Sequence, residues 1–248
     1  KIVEDRPHDM CIAMPSLQNE TPANVFTPLL IGLCASQHSA VRILAVSCMN
    51  ALLWVMPKPL LQVDPHTNLT GIQAYFQQLF NLKNDPEKEM RRLVCAGIIS
   101  LPQCLPMTGA GNPVLDHLKL VIEHMIEASC DPEHTVAVEA SEFWWQICDS
   151  CGDDQTAVQA VKEYLPRIIP VLLRNMAYQD DDEEVIQVLS EDADTPDLDS
   201  DIKPFHYNNK PGVRSVEEEE EEEDDDEDEF NVWNLRKSSA NSLDELSK

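Results

Sequence analysis

Thirteen consecutive carboxylates, Glu217, Glu218, Glu219, Glu220, Glu221, Glu222, Glu223, Asp224, Asp225, Asp226, Glu227, Asp228 and Glu229, are the densest chemistry in this 248-residue chain. A run of one sign repels itself and buries too little apolar surface to fold. Its chemistry is electrostatic: it speeds encounter with a basic protein surface, then makes many weak pairings with Lys and Arg. Screening confines direct attraction to about 8 Å at physiological salt. The formal charge of −27 argues against nucleic-acid phosphates and anionic membranes as partners. A basic protein is the expected partner.

Other residues carry less chemistry. Cys148 and Cys151 form a lone Cys-x-x-Cys, whereas zinc needs a second ligand pair. His117 and His124 are seven apart and make at most half a metal site; a core or solvated role is the simpler reading. Gly109 and Gly111 lack the length and Lys of a phosphate loop, and no nucleophile motif frames the Ser, His and Asp residues. Trp144 and Trp145 are adjacent, so a helix sends only one of them to the core. No catalytic residue, metal site or cofactor is expected, and the chain reads as a binding protein rather than an enzyme. The eight Cys sit largely at apolar positions, as reduced thiols in the cytosol or nucleus do. No apolar run reaches the ~18–20 residues of a membrane span.

The elements that must present the acidic run are repeated helices. Segments opening at Val41, Met90 and Val136 align at spacings of 49 and 46 residues. Four residues on stand Ala45, Val94 and Ala140; seven on, Cys48, Gly97 and Phe143; eleven on, Leu52, Leu101 and Ile147. Those offsets share one helical face. Each segment follows a turn and an earlier apolar helix: Val25 to Ala35, Gly71 to Leu82, Pro113 to Ala128. Asp85-Pro86 and Asp131-Pro132 predict helix starts at two of the turns. One such pair cannot bury its apolar face alone, so the pairs stack, at a period that fits HEAT-like units.

A fourth pair opens near Val161, with Pro166 in a first turn and Pro170 poised to kink it. The chain then stays polar through residues 178–231, which hold 24 of the 45 acidic and 3 of the 18 basic residues. At Trp233 the helical pattern resumes, with Leu235-Arg236 in the phase of Val41-Arg42 and Met90-Arg91. The acidic segment therefore reads as a disordered loop inserted between the two helices of one repeat. A chain of that length spans roughly 40 Å, more than the width of a helix pair. A spacer that only maintains solubility has no reason to split a repeat. Within the loop, Lys203, Phe205 and Tyr207 form a small apolar and basic island: either a solvated connector or a segment that docks in a ligand groove.

Four strings carry a family resemblance: AVEASEFWWQI at 137–147, YLPRIIPVLLRNMAY at 164–178, DSDIKPFH at 199–206 and WNLRKSSANSLDEL at 233–246. In this order around an acidic run they resemble the transportins, the karyopherin-β2 nuclear import receptors. The resemblance covers about Val25 to the end; residues 1–24, 57–70 and 102–112 depart from it. It implies a receptor that shuttles between cytoplasm and nucleus, meets nuclear pore proteins, binds the GTPase Ran in its GTP form and carries basic or nuclear-localisation-signal cargo. It also implies that the acidic loop couples Ran binding to cargo release, which makes Glu217–Glu229 the Ran-facing switch.

The reading is then an all-α HEAT-repeat solenoid interrupted by a long acidic loop. Residues 1–24 would end a preceding repeat or be poorly ordered; 25–177 are HEAT-like repeats, 178–231 the loop and 232–248 the second helix of the split repeat. With Lys1 at one end and a helical pattern still running at the other, it reads as an internal fragment. A helical-repeat acidic chaperone or scaffold for histones or ribosomal proteins is the alternative.

Overall fold

The computed structural model describes residues 2–105, 112–151, 155–177 and 233–248. Among the described residues, eight helices of more than two turns carry the fold: α1 Pro22–Leu33, α2 Ser39–Leu53, α3 Gly71–Leu82, α4 Lys88–Cys104, α5 Leu118–Ala128, α6 His134–Cys151, α7 Gln155–Met176 and α8 Leu235–Leu246. Single helical turns, such as Lys58–Leu61 and Pro113–Asp116, link some of them. No β-strand occurs among the described residues. The odd-numbered helix of each pair packs on the even one that follows. The even helices also stack in sequence, α2 on α4 on α6 on α8, as a HEAT solenoid requires. One compact unit takes Lys1–Met176 and Asn234–Lys248; the other, Ala177–Trp233, lies outside the described residues except at its two ends.

Local sequence explains the helices. Thr70 accepts from the Gln73 amide at 3.2 Å while the Gln73 side chain accepts from the Thr70 amide at 3.0 Å, a reciprocal cap that starts α3. Ile72, Tyr75, Phe76 and Leu79 then recur at 0, 3, 4 and 7 and are all buried. The stripe read from the repeat is buried throughout α4 (Met90, Val94, Gly97, Leu101) and α6 (Val136, Ala140, Phe143, Ile147). In α2, Ala45 and Leu52 are buried but Val41 and Cys48 only half so; besides α1 and α4 it packs on the single turn Ile2–Asp5.

Three expectations need correction. α7 begins at Gln155, so Pro166 lies well inside it rather than in its first turn, as does Pro170. Neither can donate to the carbonyl four residues back, those of Lys162 and Pro166. The helix predicted from Pro113 to Ala128 is broken at His117 (φ −124°, ψ 26°) into a single turn and α5. Asp85 and Asp131 stand ahead of their helices instead of capping the first turn: α4 opens at Lys88 and α6 at His134, with Pro86 and Pro132 in the turns.

What those aspartates do instead is join repeats. The Asp85 carboxylate accepts from the Glu87 amide at 3.0 Å and from Arg42 Nη2 and Nε, one repeat earlier, at 2.6 and 3.1 Å. Asp131 repeats the pattern with the Glu133 amide at 2.9 Å and Arg91 Nε and Nη2 at 2.7 and 3.0 Å. Each arginine also ties its own turn, through the carbonyls of Ser36 and Asp85 respectively, both at 3.0 Å. Burial alone would raise the Asp131 carboxyl, but the Arg91 hydrogen bonds, the Glu133 amide and the Arg91 charge outweigh it and hold it below its ordinary value. The Asp85 side chain is 5% exposed and that of Arg42 15%. Truncating Asp85 strands a guanidinium and an amide together, so Asp85→Ala is expected to lower the unfolding free energy by about 2–3 kcal/mol. Lys88→Ala, which removes an exposed pair with Glu133 at 3.2 Å, is expected to cost under about 0.5 kcal/mol. Urea melts of the two variants check this; equal midpoints would refute a structural role for Asp85.

Candidate functional site

The acidic segment leaves the stack after α7 and rejoins it at α8, so the candidate site is defined by how those two ends are held. The preceding repeat grips the end of α7. Asn175 Nδ2 donates to the Ser129 carbonyl at 2.8 Å, and Arg174 Nη2 to Cys130 Sγ at 2.8 Å. The other end starts at Asn234, whose side chain accepts from the Lys237 amide at 3.0 Å and caps α8. Arg236 Nε then reaches back to the Met176 carbonyl at 3.1 Å. Arg42 and Arg91 tie their own turns in the same way across 6 residues; Arg236 does it across 60. The repeat therefore closes as though the intervening segment were an ordinary turn.

α8 seats on α6 through small side chains. Ser238, Ser239 and Ser242 are buried, and Ser242 Oγ donates to the Ser141 carbonyl at 2.7 Å. Leu243 and Leu246 pack against the core from the same helix. The hydroxyls of Ser141, Ser238 and Ser239 and the Trp145 indole N–H find no hydrogen-bond partner among the described residues. Trp144 is the core tryptophan, with its indole N–H on Ser129 Oγ at 3.3 Å and its ring edge-on to Phe143 at 5.2 Å.

Along the stack, charge is used between repeats. Arg92 bridges Glu89 and, one repeat on, Glu139 at 2.9 Å. Burial pushes the Glu139 carboxyl up, and Arg92 offsets only part of that. On the odd helices, Arg167 holds Glu123 with two bonds of 2.6 and 2.7 Å, and Lys119 holds Glu163 at 3.1 Å.

The switch residues read from the sequence, Glu217 to Glu229, lie outside the described residues, as do Lys203, Phe205 and Tyr207. So do Gly109 and Gly111. The two histidines are not a site: His117 is exposed and stacks on Phe76 at 5.7 Å, whereas His124 is buried against Phe80. No group of three His, Cys, Asp or Glu able to hold a metal occurs among the described residues. Burial raises the Cys148 thiol, with the Glu245 charge adding to it, which is the reverse of what a reactive thiol needs. No described helix is long and apolar enough to cross a membrane.

The Arg–Asp ladder is what sequence reasoning missed. Its signal was present: an arginine second in the aligned segment, and an acid 43 or 40 residues later, close to one repeat. The third repeat has Ala137 at that position, so α6 sends no guanidinium towards the fourth repeat, where the acidic segment departs.

No family model matches the chain. It is 41% identical to Transportin-1 of Oryza sativa subsp. japonica over 248 residues, all of the chain and 25% of that protein. It is 30% identical to Transportin-1 of Mus musculus over 238 residues, 92% of the chain and 24% of that protein. Importin subunit beta-2 of Schizosaccharomyces pombe is 28% identical over 247 residues, 91% of the chain and 25% of that protein. The chain thus spans about a quarter of the length of the relatives it matches.

Proposed function

The chain belongs to the transportin family over the segment it shares with those relatives, and from that premise we propose that it is the Ran-sensing part of a nuclear import receptor. In this reading Ran, in its GTP form, engages the helical stack and the carboxylates Glu217–Glu229. The captured acidic segment then works against nuclear-localisation-signal cargo bound elsewhere on the receptor. Lys203, Phe205 and Tyr207 are the docking residues of that segment. The receptor passes between cytoplasm and nucleus in contact with nuclear pore proteins.

One observation carries the proposal: a repeat that closes through Arg236 and the Met176 carbonyl around a segment holding 24 acidic residues. An insertion that leaves its host repeat closed adds its charge without disrupting the stack. A segment with that charge has a basic protein surface as its natural partner. The Oryza relative aligns over the whole chain, acidic segment included.

The test is nucleotide dependence. A chimera is made in which this chain replaces the aligned quarter of the Oryza relative. It is expected to retain GTP-locked Ran at least tenfold more tightly than Ran-GDP. A charge shield for basic proteins would hold both forms equally, and that result would move the assignment to an acidic chaperone.

A further inference from the structure

A cleft of about 80 Å³ lies between the second and third repeats. The second repeat contributes Lys83, Asn84, Arg91 and Cys95 to its wall, and the third contributes His124, Glu127 and Asp131. His124 is 4% exposed, and neither of its ring nitrogens has a hydrogen-bond partner among the described residues. The Phe80 ring packs beside it, tilted by 59° with centroids 6.0 Å apart. A neutral imidazole presents one donor and one acceptor, and a buried polar group left unmatched is rare in a folded protein. A single water occupies about 30 Å³ in the liquid and needs polar partners; the cleft supplies both the room and the groups.

We infer that this cleft is a water-holding joint: ordered water hydrogen-bonds to His124, and the second and third repeats part there first when the imidazole takes up a proton. The inference rests on the stack alone and is independent of any transport role.

The groups facing His124 decide the sign. Lys83 and Arg91 are cationic. Asp131 is held by Arg91 at 2.7 Å, and Glu127 stands 3.8 Å from Lys83, so both nearby carboxylates already have cationic partners. Burial drives the Cys95 thiol far up, which keeps it neutral. An imidazolium would therefore sit buried beside two cations. Burial first, then the Lys83 charge, push His124 down from 6.5 to about 4. When the junction opens, the ring regains its ordinary affinity for protons. The closed form is thus fully favoured above pH ~6.5 and loses ground as pH falls towards about 4. Between pH 7 and pH 5 the opening equilibrium should rise on the order of twentyfold.

The second repeat has Gln78 at the position corresponding to His124, so His124→Gln is a substitution the repeat already tolerates. Hydrogen exchange of the chain, corrected for intrinsic rates, is measured at pH 7 and pH 5. Amides of α3 and α5 are expected to open about twentyfold more at pH 5 in the wild type and less than twofold more in His124→Gln. Nitrogen chemical shifts of His124 in the wild type give a readout that needs no variant, and a neutral ring at pH 5 is expected. A ring that titrates near 6.5 would overturn the inference. So would acid opening that persists in His124→Gln or spreads evenly over every repeat junction.

Discussion

Excising residues 217–229 from the Oryza chimera is expected to leave cargo affinity indifferent to Ran-GTP. With the run present, GTP-bound Ran should weaken cargo binding by a factor in the range of about 5–150, the usual size of a coupling free energy of 1–3 kcal/mol. Without it the factor should fall below about two. The reasoning is electrostatic. Thirteen carboxylates in a row offer a partner one repeated charge and no pattern of differing side chains, so what matters is their charge. Three further results follow. Scrambling the order of Glu and Asp should preserve the coupling. Replacing all thirteen by Gln and Asn should abolish it. Raising salt to about 0.5 M should erode it in the intact chain, since screening shortens from about 8 Å towards a few ångströms. Phe205→Ala with Tyr207→Ala should slow release while leaving Ran affinity unchanged, because an apolar docking step is separable from charge capture. Titrating labelled cargo against the chimera, with and without Ran-GTP, measures the coupling, and following cargo dissociation in time after Ran-GTP is added measures release. Undiminished coupling in the excised chain would reduce the run to a solvating spacer.

The sequence showed the stack more fully than it showed the joints. Offsets of 0, 4, 7 and 11 from Met90 and Val136 fall on buried residues because apolar spacing responds to the same burial that forms the core. The resumption at Leu235-Arg236 was legible because the repeat phase survives the interruption, and Arg236 does meet the end of α7. Helix ends were less legible. Asp-Pro marked the turns correctly but not the first helical residue, since the Asp85 and Asp131 side chains are already engaged by their own turns and by the preceding repeat's arginine. The seat of α8 on α6 was invisible: Ser238, Ser239 and Ser242 carry no apolar signal, and only packing reveals that these buried, small side chains let the helices meet. For Glu217–Glu229 the sequence supplies charge and reach, and no periodicity from which a contact could be read.

Gly97 shows how a joint overrides a propensity rule. It lies inside α4, where Gly→Ala ordinarily stabilises a helix by about 1 kcal/mol. Here a Cβ would stand 2.6 Å from Asn50 Oδ1 and 3.0 Å from Leu79 Cδ1. Asn50 cannot simply turn away. Its Oδ1 accepts from Tyr75 Oη at 2.7 Å, and its Nδ2 donates to the Leu93 carbonyl at 2.9 Å, which binds the first repeat to the second. Tyr75 is fully buried, and among the described residues its hydroxyl has a second acceptor only in the more distant Val46 carbonyl at 3.3 Å. The aligned residues Cys48 and Phe143 show that the position itself admits a side chain; the asparagine one repeat earlier forbids it. Gly97→Ala is therefore expected to lower the unfolding free energy by about 2 kcal/mol, and Gly97→Val by about 4. The two sites should couple: in an Asn50→Ala background the further cost of Gly97→Ala should shrink by at least about 1 kcal/mol, since the obstructing amide is gone. Denaturant melts of the four corners of that cycle decide the matter. A Gly97→Ala chain that melts at or above the wild-type midpoint would mean that helix propensity governs this position and that Asn50 does not clasp the two repeats.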